Sequence, residues 1–133
     1  MKKKINIRLI GIALFAIFVT LVGVAGIYYE LFQKQVKNDL HVLAEILAES
    51  DVLKTNKEIE LEDMEVRITW IDKNGVVLYD NYTDIQSMEN HANRPEIKEA
   101  MEQGVGESVR NSDTLDMNTY YYALRIKDGS IVR

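Results

Sequence analysis

The chain is 133 residues long, 47% hydrophobic and 28% charged, with one proline, seven glycines and no cysteine. This excludes a collagen-like or low-complexity chain and, without thiols, a disulfide-stapled framework or a thiolate metal site. Sixteen basic against 21 acidic residues give a net charge of −5, which argues against the clustered basic surface that nucleic-acid binding requires.

Leu9–Tyr29 runs without a charged residue. At about 1.5 Å per residue, a helix of this length spans roughly 31 Å, enough for a bilayer core of about 30 Å. Lys2, Lys3, Lys4 and Arg8 precede it, and no acidic residue occurs before Glu30. Basic flanks stay inside, so residues 1–8 read as a cytoplasmic tail, 9–29 as a transmembrane helix in membrane lipid, and the rest as extracytoplasmic. Gly23, Val24 and Ala25 would also suit signal cleavage before Gly26, which would release a secreted binding module. The apolar run exceeds the usual core of about 7–15 residues and passes straight into a helical pattern, so the anchor is preferred. The four basic residues before position 9 leave 12 outside against 21 acidic ones, a net charge of −9. Solubility accounts for it, with attraction of divalent cations or cationic peptides as the alternative.

Residues 30–50 continue as helix. Phe32, Val36, Leu40 or Leu43, and Leu47 recur at three- and four-residue steps, widened by Leu31 and Ile46. Such a stripe needs a partner, and the expectation is both the chain's own downstream domain and a second copy, a homodimer. Residues 51–64 lose the period and read as a connection. A second folded stretch follows over 65–133. Val66–Asp72 and Val76–Asn81 alternate and flank Asn74-Gly75, predicting a hairpin with a type I′ turn. A short turn is expected at Ile85–Asn90, then a helix capped by Asn93, with Pro95 in its first turn and Glu96 as capping-box partner. Ile97, Ala100 and Met101 form its apolar stripe, and Gly104 ends it.

Gly106–Asn111 reads as a strand, Ser112–Asn118 as a polar turn, and Thr119–Ile126 as the strongest strand. There Tyr120, Tyr122, Leu124 and Ile126 share one face, and Thr119, Tyr121, Ala123 and Arg125 the other. Lys127-Asp128-Gly129 turns into a last strand from Ile131. That strand has little length to pair, which points to the front of a longer protein. The order predicts an α+β fold: a transmembrane helix continuing outward, then an antiparallel sheet with helices on one face.

The stretch RITWIDKNGVVLYD (Arg67–Asp80), behind a basic start, a span and a long outer helix, resembles the front of bacterial sensor histidine kinases. Met88–Ile97 (MENHANRPEI) is similar to the M-E-N-H-x-x-R-P-E-[IV] stretch of the phosphate-regulon type of Gram-positive bacteria. Ser112, Thr114, Leu115, Met117 and Tyr120–Ala123 match its following meander. The rest is similar to PAS-like outer domains, also called Cache or PDC domains. The resemblance implies a dimeric receptor whose outer domain drives a cytoplasmic kinase and, through it, a response regulator. ATP and Mg belong to that kinase region alone, so no cofactor is expected within these residues. A chemoreceptor or cyclic-dinucleotide enzyme could carry the same outer domain, and a stand-alone single-span interaction module is the rival from another class.

No catalytic constellation is present: the chain has no Gly-rich phosphate loop, HExxH or Gly-x-Ser-x-Gly. The oxygen-rich turns at Asp80–Asp84 and Asp113/Asp116 lack calcium-loop spacing and read as solvated. His41 reads as a helix-surface residue and His91 as a loop hydrogen-bonder. A small-molecule signal would bind on the sheet face opposite the long helix, under the 82–93 loop. Arg94, Arg110 and Arg125 would pair with an anionic ligand, and Tyr79 and Tyr121 would wall it. The plainer alternative is that these arginines offset an acidic surface and the tyrosines pack; a protein signal is the other kind of stimulus.

Overall fold

The structure, a computed structural model, describes residues 2–50, 66–112 and 117–133, with side chains from residue 6 onward except at 112 and 117. The expected 51–64 connection and the Asp113/Asp116 turn lie outside the described residues. The chain divides into two compact units, Met1–Asp39 and Leu40–Arg133. Helix α1, Lys2–Glu49, supplies the described part of the first and the opening of the second.

Over Leu9–Tyr29 α1 is apolar on every side. Leu9, Phe15, Phe18, Leu21 and Ile27 are all more than half exposed, and the Thr20 hydroxyl donates back to the Ala16 carbonyl at 2.8 Å, hiding its polarity within the helix. A helix apolar all round belongs in a protein core or a bilayer. This is the one described helix long and apolar enough to cross a membrane.

The second unit is a five-stranded antiparallel sheet. Strands β1 (Thr69–Ile71), β2 (Val77–Asp80), β3 (Val105–Ser112), β4 (Met117–Arg125) and β5 (Ile131–Val132) lie in the order β2-β1-β5-β4-β3. A 3-10 turn, Ile85–Ser87, and helix α2, Pro95–Gln103, link β2 to β3. Alternation along the strands feeds two cores. On one face Ile68, Tyr122 and Val132 pack against Ala44 and Leu47 of α1, with Leu43, Trp70, Tyr120 and Leu124 around them. On the other, Ile71, Val77, Ala123 and Ile131 pack against Ile97 and Ala100 of α2. The α+β class and the assignment of Tyr122 and Ala123 to opposite faces therefore hold.

The helices, however, divide between the two faces instead of sharing one. Both sides of the sheet are apolar and each needs a cover. Two further expectations are corrected. The hairpin turn comes one residue earlier than a type I′ turn on Asn74-Gly75, because the Asp72 carboxylate accepts from the Asn74 and Val76 amides at 2.8 Å each. The Gly75 amide then donates to the Asp72 carbonyl at 3.0 Å, with Gly75 itself left-handed at φ +86°. Strand β5 is the central strand: it pairs with β1 and β4, and Arg133 extends the ladder by exchanging both backbone bonds with Thr69 at 2.8 Å.

Candidate functional site

A belt of charge crosses the α2 side of the sheet. The Thr69 register places Asp80 on one side of it and Arg133 on the other, while Ser108 opposes Tyr121 and Arg110 opposes Thr119. All five strands, counting Arg133 as the end of the β5 ladder, thus present polar side chains to one face. Glu96 descends on them from the first turn of α2 and is fully buried.

The Glu96 carboxylate accepts from the Ser108 hydroxyl at 2.7 Å, from Arg110 Nη2 at 3.1 Å and from Arg133 Nη1 at 3.2 Å. Arg133 also donates through Nη2 to the Thr69 hydroxyl at 3.2 Å, and that hydroxyl donates to Asp80 Oδ2 at 2.8 Å. Asp80, whose side chain is fully buried, takes the Arg67 Nε–H at 3.0 and 3.2 Å and the Tyr82 and Thr83 amides at 2.9 Å. Arg110 and Arg133 both stand over the Tyr121 ring, 4.5 and 5.0 Å from its centroid. Burial alone would raise the Glu96 pKa. The Ser108 bond and the Arg110 and Arg133 charges outweigh it, and the group is held below its ordinary 4.5.

Above the belt, the MENH stretch straps the hairpin turn. Asn90 Nδ2 donates to the Asn74 carbonyl at 2.9 Å, and the His91 amide donates to the Gly75 carbonyl at 2.8 Å. A Cβ on Gly75 would come within 2.4 Å of the Ala92 nitrogen, so the close approach requires glycine. The buried His91 ring donates Nδ1–H to the Glu89 carbonyl at 2.7 Å. Burial first, then the charges of Arg133, Arg94 and Arg67, lower its pKa against the opposing pull of that bond. The neutral form is therefore favoured in the fold, and as pH falls below the ordinary 6.5 the unfolded chain takes the proton more readily and stability declines.

A Cache-like family model matches residues 27–131. The chain belongs to the single Cache-like family. No curated protein and no solved structure matches it. Cache-like domains of this kind are typically extracellular sensors of histidine kinases and chemoreceptors.

Of the five residues singled out for ligand contact, this Cache-like domain brings two into the belt, Arg110 and Tyr121. Arg94 lies close enough to lower the His91 pKa but holds no part of Glu96. Arg125 shares the face but is engaged at the other end of α2, where its Nη1 donates to the Met101 carbonyl. Tyr79 opposes Trp70, on the face that α1 covers, away from the arginines.

Sequence reading passed over Arg133, Arg67, Thr69 and Ser108, took Glu96 for a capping-box partner, and placed Asp80 in a solvated turn, whereas its side chain is fully buried against Arg67 and Thr69. The available signal was parity: Arg67 and Thr69 alternate with Ile68 and Trp70 and so share the face of the buried Ile71. Asn93 does not cap α2. Pro95 at the first helical position makes Arg94 the cap residue, extended at φ −69° and ψ 135° as a residue before proline prefers, and Glu96 is turned into the sheet.

His41 is more than a surface residue. Its ring stacks on Tyr122 at 4.0 Å, and Nε2 lies 3.3 Å from both the Tyr120 hydroxyl and the Glu107 carboxylate, pinning α1 to β3 and β4. Among the described residues, no group of three or more His, Cys, Asp or Glu is placed to hold a metal.

Proposed function

We propose that this chain is the membrane-anchored sensor portion of a two-component histidine kinase of the phosphate-regulon type, relaying an outside signal through α1 to a cytoplasmic kinase. The observation that carries the reading is a helix, apolar on every side over Leu9–Tyr29, that runs without a break from there into a Cache-like domain. The MENH…RPE stretch supports the kinase type, since its residues build the strap and deliver Glu96. In this reading these residues perform no chemistry; the parent protein binds ATP and Mg in its kinase region and passes phosphate to a response regulator. The exposed Leu31, Phe32, Val42 and Ile46 favour a homodimer along α1. Chemoreceptor output is the second reading, favoured by the family's common use in such receptors.

Orientation is checked by labelling. The natural chain has no cysteine, so Lys3→Cys and Lys127→Cys each carry a single thiol. In intact cells, a membrane-impermeant maleimide is expected to label position 127 and spare position 3; labelling of position 3 alone would reverse the topology. Relay is checked by inserting Gly-Gly beside Phe32 in the full receptor. Two glycines weaken a helix by about 1 kcal/mol each and should interrupt transmission while leaving the outer domain folded. Unchanged signalling would refute transmission through α1.

A further inference from the structure

The surroundings of Glu96 are those of a carboxylate receptor. Two guanidinium groups and a hydroxyl converge on one buried carboxylate, and an aromatic ring lies under both cations. These donors come from β3 and from the end of the β5 ladder, so the sheet assembles them independently of the helix that carries Glu96. The donor set also exceeds its occupant: Arg110 Nε is buried without a hydrogen-bond partner, an unsatisfied donor of the kind folded proteins seldom keep. Delivery of the carboxylate has its own provision. At Gly106 a Cβ would stand 2.0 Å from the Glu96 carbonyl oxygen, so only glycine lets α2 sink far enough to seat the side chain.

We propose that Ser108, Arg110, Arg133 and the Tyr121 ring form a binding site for a single carboxylate group, which this chain fills with its own Glu96. A free monocarboxylate enters once that side chain is removed. In the native chain the site is self-occupied, and a small acid in the medium finds it closed. The inference concerns the cradle alone and holds whichever output the domain drives.

The test uses the full chain in detergent micelles and the fluorescence of its single tryptophan, Trp70, whose Nε1–H donates to Ser130 at 3.0 Å. Glu96→Ala is expected to lower the thermal midpoint by about 10 °C or more, the scale for uncovering buried charge. About 0.1 M sodium acetate should then raise that midpoint by roughly 5 °C, as a site of about 10 mM affinity would. Sodium chloride at equal ionic strength and acetamide, the neutral isostere, should not. Adding Arg110→Ala to Glu96→Ala should abolish the acetate response, and the natural chain should show none beyond that of chloride. If Glu96→Ala lacks a cooperative transition, acetate is expected to restore one. The proposal is overturned by no recovery with acetate, equal recovery with chloride or acetamide, recovery that survives Arg110→Ala, or an acetate-specific shift in the natural chain.

Discussion

Gly106→Ala is expected to be among the most damaging single-methyl changes in the domain, costing about 3 kcal/mol or more. The added carbon would meet the Glu96 carbonyl oxygen at 2.0 Å and the Ala100 nitrogen at 2.8 Å. Both are backbone atoms of a helix, so relief requires moving α2 as a body. That movement would open the Ile97 and Ala100 core and withdraw Glu96 from Ser108 and both arginines. Gly104→Ala is the control for conformational strain alone: Gly104, unlike Gly106, is left-handed, at φ +93°, and its Cβ would meet nothing within 4 Å. Its cost should be about 1 kcal/mol. Urea unfolding of the two variants, read at Trp70, checks the ranking. Equal losses would refute the close approach of α2 as the reason for glycine at 106.

Glu96→Gln is expected to remove about 3 kcal/mol at neutral pH. The amide keeps the shape but leaves Arg110 and Arg133 without their buried counter-charge and presents an NH2 group towards donors. The loss should also depend on pH in a definite direction. Glu96 is depressed in the fold, so its contribution is complete above its ordinary 4.5 and disappears as pH falls through the lower folded value. The gap between the natural chain and Glu96→Gln should be widest near neutrality and close in acid. Denaturation midpoints across an acid series measure it; a gap independent of pH would show that the glutamate acts through packing and not through charge.

Much of the framework was legible in the sequence, and for a physical reason. Alternation along Thr119–Ile126 separates two apolar sets, and the chain uses both: Tyr122 and Leu124 face α1 while Ala123 faces α2. Ile97 and Ala100 were legible because three-residue spacing on a helix is local. The belt was not, because its partners are local to nothing. Glu96 and Arg133 are 37 residues apart, and Arg67 meets Asp80 only once the turn is fixed. Local signals also misdirected. Asn93 and Glu96 have the spacing of a capping box, and Asn74-Gly75 that of a type I′ turn, but Pro95 moved the cap and the Asp72 carboxylate moved the turn. Arg110 and Tyr121 could be named as chemically suited to an anion. That the chain supplies the anion itself required the distance from Glu96.

The central place of β5 has a mechanical meaning. A strand at the rim of a sheet can be peeled away one rung at a time, with little disturbance to the far side. Strand β5 is bonded along both edges, and its consecutive side chains Ile131 and Val132 are rooted in different cores. Tension applied at Arg133 must therefore shear two ladders together and strain both layers of the domain at once. The same residue grips Glu96 and, through Thr69, Asp80. A pull or twist delivered there would load both cores of the Cache-like domain at once.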